Sequence, residues 1–203
     1  MHNHELFSLK DRCAVVIGGA GKIGLPMVEA LAEAGARVYI ASRSEDNYLP
    51  AVDNFKLAGL DVRGIKLDQA NESSVHDALS VISDDFKVPD ILINSGCDRP
   101  MKFFYDDSTE NWDKSMAVNA RGTFITCRAF GNAMTTQGKG SIINIASIYG
   151  MVAPDMNVYE GVGFETEPDY PFVKGGIIAF SKYLSSYYCK KNVRVNCISP
   201  GGY

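Results

Sequence analysis

No apolar run in this 203-residue chain approaches the roughly 18 residues a helix needs to span a bilayer. Histidine is scarce: His2 and His4 sit in the amino-terminal tail and His76 stands alone, which supports neither a zinc site nor a histidine-based triad. No metal site is expected. There is also no basic stripe. The 20 Lys and Arg are outnumbered by 24 Asp and Glu, giving a net charge of −4, which argues against nucleic acid or an anionic membrane as main partner. The cysteines at 13, 97, 127, 189 and 197 are odd in number and form no Cys-x-x-Cys, so they read as buried, reduced thiols of a cytoplasmic protein. The first ten residues hold no apolar core of a secretory signal. No internal repeat, low-complexity tract or linker breaks the chain, so one domain over 1–203 is expected.

Present throughout are short apolar runs alternating with helical patterns. Cys13–Ile17 is continuously apolar, as a strand buried on both faces must be. A glycine-rich turn, 18–24, leads into a helix over Leu25–Ala34 that ends at Gly35. Further strands are expected at Arg37–Ala41, Val62–Leu67, Asp90–Ile93, Ser141–Ala146 and Val193–Ile198. Helices are expected at Glu45–Ala58, with Pro50 tolerable only in the first turn, and at Glu72–Phe86, Ser108–Met134 and 170–190. Residues 98–107 and 148–169 read as loops, and the second is long enough to suggest a functional role. Six strands separated by helices predict an α/β fold, a doubly wound parallel sheet of the Rossmann type with ligands beyond the carboxyl ends of its strands.

The residues at those ends carry the chemistry. Gly18-Gly19-Ala20-Gly21-Lys22-Ile23-Gly24 follows the first strand, where glycines let the backbone approach a pyrophosphate at a helix N-terminus. The second strand ends in Ser42 and Arg43 with no acid over 41–43. An arginine there suits a 2′-phosphate and Lys22 adds a second positive charge, so NADP(H) is favoured over NAD(H). Asp68, with Gln69 after it, ends the third strand on the adenine side. Asn94-Ser95-Gly96 ends the fourth, with residues small enough for a cofactor to pass. Asn119 lies midway along the long helical pattern and Ser147 ends the fifth strand. Tyr170 and Lys174 share one helical face behind Pro171, where an ammonium favours the ionised phenol and equips it for acid–base work. Tyr187 and Lys191 repeat that spacing, but 17 residues further along the helix they lie roughly 25 Å away, at the end remote from the other motifs.

Taken together, the glycine turn, Asp68, Asn94-Ser95-Gly96, Asn119, Ser147, Tyr170 with Lys174, and Ser199-Pro200-Gly201 resemble the short-chain dehydrogenase/reductase family in order and over nearly the whole chain. The resemblance implies hydride exchange between NAD(P)(H) and a carbonyl or alcohol. Tyr170 would be the acid or base, Lys174 its partner and a ligand of the nicotinamide ribose, and Ser147 the group that polarises the carbonyl. Asn119 would anchor a water joining Lys174 to solvent, and Pro200-Gly201 would lie against the nicotinamide. It also implies a homodimer or homotetramer built on helices 108–137 and 170–190.

Three departures from the family pattern shape the remaining expectations. The spacing Gly18-x-x-Gly21-x-x-Gly24 resembles the nucleotide-sugar epimerases and dehydratases, while Asn94-Ser95-Gly96 and the Ser-Pro-Gly end resemble simple reductases. Ser147 and Tyr170 are 23 residues apart, about twice the usual gap, so 150–169 should wall a substrate pocket or reach a neighbouring subunit, with Tyr159, Glu160, Glu165 and Glu167 available to a polar, sugar-like substrate. The long loop is similar to that of reductases of bacterial surface-sugar pathways. The chain stops at Tyr203, short of the family's substrate-covering helix and seventh strand, so a C-terminally incomplete domain with an open strand edge is expected. An NADP(H)-dependent carbonyl reductase or alcohol dehydrogenase is the favoured outcome; an epimerase or dehydratase with bound NAD, and a non-catalytic dinucleotide-binding protein, remain open.

Overall fold

The computed structural model describes residues 6–163 and 165–202. Six parallel strands form one sheet in the order β3-β2-β1-β4-β5-β6, with β1 Cys13–Ile17, β2 Arg37–Ser42, β3 Val62–Lys66, β4 Ile91–Asn94, β5 Gly140–Ile145 and β6 Val193–Ile198. Helices α1 Gly24–Glu33, α2 Glu45–Leu57, α3 Glu72–Asp85, α4 Thr109–Ser115, α5 Gly122–Gln137 and α6 Asp169–Tyr188 connect them. Strand β1 is wholly buried because both faces are covered. Cys13, Val15 and Ile17 pack with α3, α5 and α6, while Ala14 and Val16 pack with α1 and α2. This period-two division explains the unbroken apolar run. The strand order reverses between β1 and β4, and the groove beyond that point is where such sheets take ligands.

Several expectations are corrected. Pro50 lies in the second turn of α2, not the first. Only Cys13 and Cys127 of the five thiols are buried; Cys97 and Cys189 are exposed. The long helical pattern over 108–137 is not one α-helix. It widens into a π turn at Met116–Arg121 that holds Asn119, a distortion often found at functional sites. Residues 148–169 are not featureless, because short 3₁₀ turns form at Ile148–Gly150 and Met156–Tyr159.

At the opposite, amino-terminal end of the sheet, Asp90 precedes β4 and is only 5 % exposed. Its carboxylate accepts from the Cys13 amide at 3.0 Å and meets Arg12 at 3.1 Å, Lys87 at 3.1 Å and Lys139 at 3.0 Å. Burial opposes ionisation here, but the Cys13 amide and the three cations outweigh it, and the Asp90 pKa falls to about 2.

Candidate active site

The glycine turn is shaped by close backbone approaches. Gly18 has φ +73°, and a Cβ there would lie 2.7 Å from the Gly96 Cα; a Cβ on Gly24 would lie 2.3 Å from the Gly18 carbonyl oxygen. Only glycine allows β1, β4 and the start of α1 to converge this tightly. Gly21 is more open, its Cβ position meeting a single atom at 3.2 Å. Against this turn lies a groove of about 490 Å³. Gly18, Gly21, Lys22, Ile23 and Gly24 line one side, Ser42 and Arg43 the end of β2, and Gln69, Ser95 and Gly96 the far side. The glycine backbone, the exposed start of α1 and the two cations suit a dinucleotide's phosphates.

Asp68 and Asn94, expected to contact the cofactor, are not among the groove walls, and neither are Tyr170, Lys174, Pro200 and Gly201. Asp68 turns its carboxylate back to the Ala70 amide at 3.0 Å. Asn94 points into the core, donating to Asn144 Oδ1 at 2.7 Å and accepting from Thr126 Oγ1 at 3.0 Å; Asn144 in turn donates to Ser181 at 2.9 Å. Asn94 therefore joins β4, β5, α5 and α6, and the groove is left to the small Ser95 and Gly96. Gln69 both lines the groove and clamps it, donating to the Val118 carbonyl of the π turn at 2.8 Å.

The acid–base candidates assemble beyond β5. Lys174 is 5 % exposed and its ammonium donates to the Ile145 carbonyl at 2.8 Å. That bond fastens α6 to the end of β5, two residues before Ser147. Burial pushes the Lys174 ammonium below its ordinary pKa, reinforced by Arg99 and opposed by the thiols of Cys97 and Cys197. The Lys174 nitrogen is 5.4 Å from the centre of the Tyr170 ring. Ser147 is buried and its hydroxyl oxygen accepts from the Tyr149 amide at 3.2 Å. A hydroxyl has one donor and two acceptor positions, and among the described residues nothing takes the Ser147 proton. Pro200 reaches the same place, its carbonyl accepting from the Ile148 amide at 3.0 Å, whereas Gly201 is exposed beside it.

Asn119 holds the loop after β4 in position. Its amide donates to the Asp98 carbonyl at 2.7 Å and to Ser115 Oγ at 3.0 Å, and its oxygen accepts from the Asp98 amide at 2.8 Å. One lone pair of Oδ1 is left over for a water. Asp98 also faces Arg43 across the groove at 3.8 Å. The loop 148–169 folds against the site. Tyr149 and Tyr159 share a hydrogen bond of 2.9 Å, Thr166 donates to Tyr159 at 2.6 Å, and Glu167 pairs with Arg99. Glu160 is exposed, and Glu165 accepts weakly from the Phe104 amide at 3.4 Å.

Gly150 was not legible as a site residue. A Cβ there would lie 2.6 Å from the Lys174 carbonyl carbon, so only glycine lets the turn after Ser147 seat on α6. Gly150→Ala is expected to lower the melting free energy by about 1–3 kcal/mol, as overpacking does, and to reduce turnover. Unchanged thermal unfolding and kcat would show that the contact is dispensable.

The short chain dehydrogenase family model matches residues 12–203. An uncharacterized oxidoreductase of Thermotoga maritima is 31% identical over 196 residues, covering 95% of this chain and 72% of the relative. The D-threitol dehydrogenase of Mycolicibacterium smegmatis is 31% identical over 194 residues, 96% of this chain and 71% of the relative. Among solved structures, a gluconate 5-dehydrogenase from Burkholderia cenocepacia in complex with NADP and tartrate superposes with TM-score 0.87 at 26% identity, covering 98% of this chain and 74% of that one. A short chain dehydrogenase from Leptospira borgpetersenii with bound NAD+ gives TM-score 0.86 at 32% identity, covering 100% of this chain and 74% of that one. The family model over 12–203 and the relatives at 31% identity place this chain in the short-chain dehydrogenase/reductase family, as an NAD(P)-dependent oxidoreductase of alcohol and carbonyl substrates.

Proposed function

We propose that the chain transfers hydride between NADP(H), in preference to NAD(H), and a polyhydroxylated substrate such as a sugar or sugar-derived ketone. The observation that carries the chemistry is the buried Lys174 ammonium, tied to the end of β5 and 5.4 Å from the Tyr170 ring centre. Bound in the groove, the cofactor supplies or accepts the hydride. In the reducing direction Tyr170 gives its phenolic proton to the carbonyl oxygen, and the free Ser147 proton hydrogen-bonds that oxygen as its charge grows. Lys174 favours the phenolate left behind. Asn119 organises the Asp98 loop and offers Oδ1 to a water leading towards Lys174. In oxidation the same proton moves runs in reverse.

The cofactor preference rests on Arg43 and Lys22 lining the groove, with no acid at the end of β2 to hold a ribose 2′-hydroxyl. Arg43→Ala is expected to weaken NADPH binding about 10–100-fold, the worth of one charge-assisted contact, with little effect on NADH. Equal losses for both would make Arg43 an ordinary surface charge. The substrate class rests on the polar cluster that Tyr149, Tyr159 and Thr166 form by hydrogen bonds in the segment before α6, and on likeness to D-threitol and gluconate dehydrogenases. A screen of ketoses, polyols and small ketones with each cofactor tests it; turnover confined to unfunctionalised ketones would reject it.

A homo-oligomer is part of the proposal. Phe124 of α5 and Phe180, Tyr183 and Tyr187 of α6 form a ladder of rings spaced 6.2, 6.3 and 6.0 Å apart. Phe124, Tyr183 and Tyr187 are 43, 61 and 65% exposed, and a second copy of this surface would cover them.

A further inference from the structure

Tyr170 has a second cation. The Arg99 guanidinium carbon lies 4.8 Å from the Tyr170 ring centre, slightly nearer than the Lys174 nitrogen at 5.4 Å. Arg99 is not placed there casually. Its carbonyl accepts from Lys102 at 3.3 Å, its neighbour Asp98 is gripped on both sides of the peptide by Asn119, and its guanidinium pairs with Glu167, a side chain only 11% exposed. Glu167 also ends the long inserted segment, and its carbonyl accepts from the Tyr170 amide at 3.2 Å. The insertion, the loop after β4 and the first turn of α6 therefore converge on one phenol.

We propose that Arg99, anchored by Glu167, is a positioning residue that fixes the Tyr170 ring and biases the phenol towards its ionised form, in addition to Lys174. This rests on Tyr170 being the acid–base group of the site. A guanidinium on a ring face is attracted to the neutral ring and more strongly to the phenolate. Burial works against the Arg99 charge, but Glu167 and then the Tyr170 phenol hold the guanidinium above its ordinary pKa. The other ionisable groups around Tyr170 are Lys174 on its own helix, Tyr149 from the turn after β5, Cys97 beside Arg99 and Lys174, Glu167 just before α6 and Asp169 at its start. Asp169 is buried and accepts from Ser115.

The test is a near-ultraviolet phenolate titration of each protein minus its Tyr170→Phe counterpart, which isolates one tyrosine without needing a substrate. Arg99→Met is expected to move the difference transition up by roughly half to one pH unit, the lower end of what a nearby opposite charge does when half exposed. Arg99→Gln keeps a hydrogen bond for Glu167 and should give the same shift if Arg99→Met proves too unstable. Arg99→Lys should restore most of the wild-type position. An unmoved transition in the Met and Gln variants, or an equal shift in the Lys variant, would overturn the proposal. If Tyr170→Phe instead retained full hydride transfer, the proposed function would fail, and the titration would still report on Arg99 separately.

Discussion

Tyr170→Phe is expected to lower turnover by about three orders of magnitude, within the range that one positioned acid–base group contributes, while NADPH still binds. The phenylalanine keeps the ring between α6 and Arg99 but has no proton to give the carbonyl oxygen. Neither neighbour can substitute. The Lys174 ammonium is committed to the Ile145 carbonyl at 2.8 Å, and the Ser147 hydroxyl, though it can donate a hydrogen bond, is far too weak an acid to complete a transfer near neutrality. Cofactor binding should survive because Tyr170 is not among the groove walls. The split between lost kcat and retained NADPH affinity, read by fluorescence titration beside steady-state rates, is the signature. A comparable loss of affinity would mean that the substitution disturbed the fold.

Asp90→Asn should give the second large effect, this time on stability and at the end of the sheet away from the site. The carboxylate serves the Cys13 amide and three cations that come from the start of β1, the start of β4 and the turn before β5. The amide that replaces it keeps one acceptor and no charge. A pKa lowered to about 2 from an ordinary value near ~3.9 corresponds to about 2 kcal/mol. Because the folded pKa is depressed, that contribution is complete above pH ~4 and is lost as pH falls towards about 2. Denaturant unfolding should therefore show the variant about 2 kcal/mol weaker at neutral pH, with the gap to wild type closing between pH ~4 and ~2. A gap constant across that window would show that the charge is not what stabilises the site.

Most of the sheet was legible because a strand covered on both faces has to be apolar without interruption, and β1 shows this directly. The glycine turn was legible because Gly18 and Gly24 admit no side chain at all. What escaped depends on contacts far apart in sequence. Periodicity cannot distinguish a π turn from the helix around it, so the widening at 116–121 and the grip of Asn119 on Asp98 were invisible. Asn94 matched a strand-end motif, yet its side chain serves the core network with Asn144 and Thr126. Arg99 stood in a polar loop and Glu167 in an insertion 68 residues later, and nothing local to either announces that they meet over Tyr170. Gly150 has the same character, being required only because α6 passes 2.6 Å from where its Cβ would be.

The most direct test of the account follows the hydride and the proton donor together. NADPH carrying deuterium at the transferring position would be incubated with a ketose that the screen identifies as substrate, and the alcohol analysed by mass spectrometry for wild type and Tyr170→Phe. Deuterium on the carbinol carbon with wild type, and at most traces with the variant, is the expected result. Equal incorporation by both proteins, or none by wild type with either labelled NADPH or labelled NADH across the whole panel, would contradict it.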